Sequence, residues 1–180
     1  MATLPSRFLA VLLCALPLGA AAAAAEETPT VTAFATWTLQ GVAVRSAPDQ
    51  VTLVGSLQGP LFVDAGADPV LAGRVICPGT LTVQLADGSQ QGEGVCAFTA
   101  KDGAEAYGSW TCSGYHLVGC KGSFSFTGGS GRLEGITGGS DLLIRGELLE
   151  VARATGQAAG DEVLGIMLWR NLAGTLPGLE

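Results

Sequence analysis

Apolar residues in this chain recur at every second position rather than at every third or fourth. Polar residues take most of the intervening positions of residues 31–41 (Thr32, Thr36, Thr38 and Gln40), with Phe34 as the exception. The other face carries Val31, Ala33, Ala35, Trp37, Leu39 and Gly41. A period of two is that of a β-strand with one buried face, not that of an amphipathic helix. The pattern therefore predicts an all-β fold.

Turn-forming residues divide the alternating segments into short strands. Asp87-Gly88 and Asp102-Gly103 separate neighbouring segments, and glycine in each pair can adopt the positive φ that a tight hairpin turn needs. Gly59-Pro60 and Pro78-Gly79 interrupt two earlier segments, where we expect strands to end or bulge. This series of short alternating segments and turns predicts an antiparallel meander that closes into a small barrel of about eight strands, with a β-sandwich as the alternative.

The first 25 residues differ from the rest of the chain. Arg7 precedes an apolar run at residues 8–18, and residues 20–25 are small. This arrangement predicts a secretory signal peptide, residues 1–25, cleaved near Ala25 and followed by a single β-barrel domain, residues 26–180. The apolar run is shorter than the roughly 20 residues that span a bilayer. We therefore expect a secreted or periplasmic protein without a transmembrane segment.

The overall composition bounds the classes of partner. Hydrophobic residues make up 48% of the chain and charged residues 14%, which is typical of a globular rather than a disordered protein. The formal net charge is −7, or −8 once Arg7 is removed, and the isoelectric point is about 4.6. Because nucleic-acid binding requires basic clusters, we expect no nucleic-acid partner.

Four cysteines remain after the signal peptide: Cys77, Cys96, Cys112 and Cys120. An even number in an oxidising compartment predicts disulfides. Of the three possible pairings we favour Cys77 with Cys96, which the hairpin register brings near each other, and Cys112 with Cys120, which enclose a short loop. We expect no metal site, because the chain has no C-x-x-C and its single histidine is His116.

A glycine-rich segment, TGGSGRLEGITGG, occupies residues 127–139. The spacing of its glycines differs from that of the dinucleotide-binding loop, and Gly135 is followed by Ile136 and Thr137 instead of the lysine of a Walker loop. We therefore predict no phosphate site here and no cofactor.

The same segment resembles a known barrel signature. The core G-G-[ST]-G-x-[FL]-x-G is matched by Gly128, Gly129, Ser130, Gly131, Leu133 and Gly135, and it resembles a late strand–turn–strand of the allene oxide cyclase and dirigent barrels. The pattern of GEGVCAFT, WTCSG and GCKGSF is similar to that of small uncharacterised secreted bacterial proteins carrying this signature. The resemblance implies an eight-stranded barrel that often trimerises, with an apolar cavity suited to lipids or phenolics. The plant cyclases carry their catalytic acid and asparagine on early strands, and residues 31–44 and 51–58 contain neither, so no catalytic residue is carried over.

Several residues are candidates for a pocket inside the barrel. Five are aromatic and would either line a pocket or fill the interior: Trp37, Phe98, Trp110, Phe124 and Phe126. Glu93, Tyr107 and Tyr115 are the few groups able to supply a carboxylate or phenol. Glu93 alternates with Val95 and Ala97, but its place just after a turn also fits a solvated position. We expect His116 to be a surface loop residue.

The last alternating segment is apolar on both faces. We assign Val163, Met167 and Trp169 to one face and Leu164, Ile166, Leu168 and Leu172 to the other. An outward apolar face indicates that another segment or subunit covers it, so we expect a homo-oligomer.

These observations together predict a secreted or periplasmic, non-catalytic β-barrel that serves as a binding or structural module. Its candidate partners are an apolar small molecule and further copies of itself. The alternatives are a cofactor-free isomerase or cyclase of the allene oxide cyclase type and a subunit of a cell-envelope assembly.

Overall fold

The structure is a computed structural model, and it describes residues 31–64, 66, 68–148, 152, 158–159 and 163–177. The predicted signal peptide lies outside the described residues. No helix within these ranges is long and apolar enough to cross a membrane.

Nine strands account for most of the described chain. They are β1 (Val31–Ala47), β2 (Gln50–Asp64), β3 (Val70–Gln84), β4 (Ser89–Ala100), β5 (Glu105–Tyr115), β6 (Gly119–Ser130), β7 (Gly139–Gly146), β8 (Ala158–Ala159) and β9 (Leu164–Ala173). A single turn of 3-10 helix, Gly131–Leu133, separates β6 from β7.

The strands form one closed antiparallel barrel. Their order is β2-β3-β4-β5-β6-β7-β9-β1, and β1 returns to pair with β2. The two-residue β8 pairs with β1 at Gly41 and Val42. The prediction of an all-β meander closing into an eight-stranded barrel is confirmed, and the sandwich alternative is wrong because one continuous sheet closes on itself.

Bulky rings inside the barrel pack over glycines on neighbouring strands. A Cβ on Gly165 would lie 2.1 Å from the Trp37 ring, and one on Gly108 would lie 2.1 Å from the Phe124 ring. Trp110 packs in the same way over Gly79, where a Cβ would lie 2.7 Å from its ring. The interior of an eight-stranded barrel is only wide enough for side chains, so glycine on one strand makes room for an indole or phenyl ring from another. Rings of Trp37, Trp110 and Phe124 lie this close to six glycines: Gly79, Gly92, Gly94, Gly108, Gly146 and Gly165.

Two prolines behave differently from the sequence prediction. Strand β2 continues through Gly59-Pro60 and β3 continues through Pro78-Gly79, so the expected strand ends are wrong. Pro60 remains paired with Arg74 of β3, and Pro78 with Ser56 of β2. On the opposite side of each proline, toward β1 or β4, the pairing is interrupted. The missing proline N–H thus interrupts the hydrogen bonds to one neighbouring strand, while the pairing with the other neighbour keeps the strand in place. A register shift does occur next to Pro60, between Leu61 and Phe62.

Both favoured disulfides are present. Cys77 bonds to Cys96 with a Cα–Cα distance of 4.1 Å, and Cys112 bonds to Cys120 at 5.3 Å. The register of β3 with β4 places Cys77 opposite Cys96, without the bulge that we expected at Pro78-Gly79. The segment between Cys112 and Cys120 is mostly strand rather than loop, because β5 extends to Tyr115 and β6 begins at Gly119. All four cysteines are buried, so both disulfides belong to the core.

The face assignment of the last strand needs one correction. Met167 and Trp169 are buried, while Leu164 and Ile166 are 61% and 40% exposed, as the alternation predicts. Leu172 was assigned to the outer face, but it is buried. The register of β9 with β1 shifts between Ala33 and Val31, next to Asn171 with φ of 52°, and this bulge turns Leu172 inward.

Candidate functional site

An aromatic cluster fills one end of the barrel. The cluster consists of Phe98, Phe124, Phe126 and Trp169, and five pairs of their rings lie 5.0–6.2 Å apart between centroids, mostly edge to face. The predicted pocket residues Phe98 and Phe124 are buried here, and Phe126 is half-buried. Trp37 and Trp110 are also buried, but the contacts described above hold them over glycines of other strands. The five predicted rings therefore point inward without forming one continuous pocket wall.

A small apolar chamber lies beside this cluster. It measures about 90 Å³, and short side chains such as Ala33 and Ala106 line it together with the rings. A second space, of about 30 Å³, lies near Leu53 and Trp110. For comparison, an apolar cavity that binds benzene measures about 150 Å³. The interior is thus largely filled, and the chamber is too small for a lipid chain.

The glycine-rich segment covers this chamber. After Ser130 the chain forms the 3-10 turn, and Leu133 and Ile136 become buried against the chamber. Gly131 and Gly135 have φ of 61° and 81°, a conformation that favours glycine, in the connection between β6 and the antiparallel β7. Thus the segment is more than the turn that the sequence predicts, since two of its side chains enter the core.

An exposed ion pair fixes the segment to the turn between β4 and β5. The Arg132 guanidinium binds the Asp102 carboxylate. That carboxylate also accepts the backbone N–H of Ala104 at 3.2 Å. These donors, the Ala104 N–H first and Arg132 second, lower the pKa of Asp102 below its ordinary value of 3.8.

The candidate acid and phenols lie outside the barrel. Glu93 is exposed on the outer face of β4, and Tyr107 and Tyr115 are 39% and 54% exposed on β5. The Tyr107 hydroxyl donates to Glu105, and this hydrogen bond is the main reason that the pKa of Tyr107 is raised above 10.0. None of these three residues therefore belongs to an interior pocket with the five aromatic rings.

Polar groups are scarce inside the part of the barrel that the structure describes. Gln90 is the one buried polar residue there, and no charged side chain is buried. His116 lies in the turn between β5 and β6, where its backbone N–H donates to Gly88 at 3.0 Å. The described residues contain no group of three or more metal-ligating side chains. The interior holds no nucleophile–base pair or carboxylate pair in these ranges.

The outer face presents a second candidate site on three adjacent strands. Leu168 of β9, Phe34 of β1 and Phe62 of β2 are cross-strand neighbours, and the two phenyl rings stack 5.0 Å apart. Each of these side chains is only half-buried. We call this surface the β9–β1–β2 face; it comprises the outward residues of the three strands at three levels: Arg170, Thr32 and Asp64; Leu168, Phe34 and Phe62; and Ile166, Thr36 and Pro60.

No family model, curated protein or solved structure matches this chain. The resemblance to allene oxide cyclase and dirigent barrels therefore stays a prediction.

Most of the β9–β1–β2 face is not predicted by the sequence pattern. Alternation assigns Leu164, Ile166 and Leu168 outward, but it does not connect them with Phe62 or with the charges of Arg170 and Asp64. One signal was available, because Phe34 breaks the polar side of the alternation in β1. Phe34 becomes informative once the register places Leu168 and Phe62 beside it, because a contiguous outward apolar patch indicates an interaction surface.

Proposed function

We propose that this chain is an exported, disulfide-linked β-barrel that has no catalytic role and acts as a binding or structural module through its outer surface. The observation that carries the proposal is the largely filled interior of the described barrel, in which no charged side chain is buried. The aromatic cluster occupies one end, the remaining chamber is about 90 Å³, and the candidate acid and phenols lie outside.

The cyclase alternative is less well supported. Ring closure of that type requires a substrate cavity with a carboxylate or phenol inside it. Glu93, Tyr107 and Tyr115 face outward, and no charged side chain is buried among the described residues. The closed eight-stranded barrel and the glycine segment between β6 and β7 support kinship with the allene oxide cyclase and dirigent barrels in fold, which we propose without their chemistry.

Export is part of the same proposal. The apolar amino-terminal segment fits a signal peptide, and the two buried disulfides are compatible with a secreted or periplasmic protein.

A chamber-filling substitution tests the proposal. Ala106 is 2% exposed and lines the chamber, whereas Ala97 faces outward on the neighbouring strand, so Ala106→Val and Ala97→Val form a matched pair. The wild type and both variants would be purified from an exporting host and weighed by native mass spectrometry. We expect all three to carry no bound molecule. The proposal would be overturned by a small molecule retained by the wild type and Ala97→Val but lost from Ala106→Val.

A further inference from the structure

We infer that the β9–β1–β2 face binds a second copy of this chain about a two-fold axis that runs along β1. The inference rests on the proposed function, because it names the partner of a module that acts through its surface. Three features of the face support this inference. Its centre is apolar, its two sides carry opposite charges, and the apolar residues and the charges are arranged symmetrically about β1.

The centre of the face is apolar and half-buried. Phe34 lies between Leu168 and Phe62, and the apolar strip continues to Ile166, which is 40% exposed, and Leu164, which is 61% exposed. The described chain places no other segment over these side chains. A contiguous apolar surface of this kind is typical of an interaction site.

The charges of the face lie on opposite sides of this strip. Asp64 on β2 is the cross-strand partner of Thr32, and Arg170 on β9 lies at the same level on the other side of β1. They are two strands apart, about 10 Å between Cα atoms at the usual strand spacing. Arg170 forms no ion pair within the described residues. Its neighbour on β7, Asp141, is instead approached by the Asn171 amide at 3.4 Å.

A two-fold rotation about β1 satisfies both charges at once. The rotation exchanges the β9 side of one copy with the β2 side of the other. Arg170 then faces Asp64 of the second copy, and the same pair forms again at the symmetric position. At the next level Leu168 faces Phe62 of the second copy, and the two Phe34 rings meet on the axis. At the third level Ile166 faces Pro60, where the interrupted pairing of β1 with β2 leaves a notch of about 400 Å³. Self-complementarity of this kind is the requirement for an isologous interface.

The size of the face determines how strongly we expect the two copies to associate. Nine residues from each copy form a smaller contact than the 20–30 a side of a standard stable interface. We therefore expect a dimer in equilibrium with monomer, and we expect salt to weaken it by screening the two ion pairs.

Charge exchange tests the geometry directly. Sedimentation equilibrium of the mature protein over a wide concentration range would compare Arg170→Asp, Asp64→Arg and the variant carrying both. Each single exchange places like charges opposite each other, so we expect at least a tenfold weaker dimer, and we expect the double exchange to restore dimerisation to within about threefold of the wild type.

Two controls separate the interface from folding. The Asp64 Oδ1 atom also accepts the Gly66 N–H at 2.9 Å, and Asp64→Asn keeps this acceptor while it removes the charge. It should weaken the dimer less than Asp64→Arg does. Lys121→Glu, on the outer face of β6, should leave the dimer unchanged.

Three results would overturn the inference: a wild type that stays monomeric at all concentrations, single exchanges without effect, or single effects that the double exchange does not rescue. Each of these results leaves the proposed function standing, because none of them introduces an interior ligand. A molecule lost only from Ala106→Val would instead overturn the proposed function.

Discussion

At the scale of single residues, several aromatic rings in the interior pack over a glycine of another strand. Gly108 and Phe124 are one such pair, and Gly165 and Trp37 are another. The sequence predicts the inward rings, because alternation identifies the buried face of each strand. It does not predict which glycine each ring covers, since that depends on the register and tilt of strands far apart in the chain.

We predict that Gly108→Ala destabilises the protein by about 1–3 kcal/mol, because the new methyl group would lie within 2.3 Å of two Phe124 ring atoms and force the ring to move. Urea unfolding measures the change. Ser109→Ala, at the adjacent outward position, should change stability by no more than about 0.5 kcal/mol.

The Phe124 ring is the nearest obstacle to that methyl group, and the Ser125 carbonyl oxygen, 2.7 Å from the same position, is the next. A smaller side chain at position 124 should therefore relieve part of the loss. The cost of Gly108→Ala should be smaller in a Phe124→Leu background than in the wild type. Equal costs in the two backgrounds would show that the phenyl ring is not the obstacle.

At the scale of elements, the glycine-rich segment is a cover for one end of the barrel. Leu133 and Ile136 are buried at the chamber, and Arg132 holds the segment to Asp102. The sequence predicts no phosphate site there, and it places the segment at the junction of two strands, where the structure has it between β6 and β7. The burial of Leu133 and Ile136 could not be predicted from the sequence pattern. These two residues lie in an irregular segment, where buried positions do not recur with the period of a strand or a helix.

The titration of Asp102 tests this attachment. Its pKa is lowered in the folded protein, so its contribution to stability is present above pH 3.8 and is lost as the pH falls through the folded value. We predict that carboxyl NMR gives Asp102 a pKa below 3.8 and that Arg132→Gln raises this pKa. The value should stay below 3.8 in the variant, because the Ala104 N–H remains. A pKa unchanged by Arg132→Gln would contradict the ion pair.

Strand boundaries show where sequence prediction was weakest. Pro60 and Pro78 predict that their strands are interrupted, and each proline does interrupt the pairing with one neighbouring strand. Both strands nevertheless continue, because β2 and β3 remain paired with each other at these positions. The asymmetry of a proline within a closed sheet is visible only once both neighbours are known. The outward assignment of Leu172 was wrong for a related reason. The bulge at Asn171 adds one residue to the strand, and so it reverses the face on which the alternation places Leu172.

At the scale of the whole molecule, closure removes the free edges of the eight barrel strands, and the interior is filled by their own side chains. Outside, the β9–β1–β2 face is one of the surfaces on which apolar side chains remain exposed, with Ile166 40% exposed. A barrel of this kind has little interior volume for a substrate but a structured exterior for a partner. This contrast is the physical basis for proposing a module that associates rather than a cyclase.

Native mass spectrometry of the mature, unreduced protein at increasing concentration tests that account most directly. The account predicts monomer and dimer without any retained small molecule, each chain lighter than its reduced form by the four hydrogens that two disulfides remove. A species that stays monomeric at every concentration and retains an organic molecule inside the barrel would contradict it.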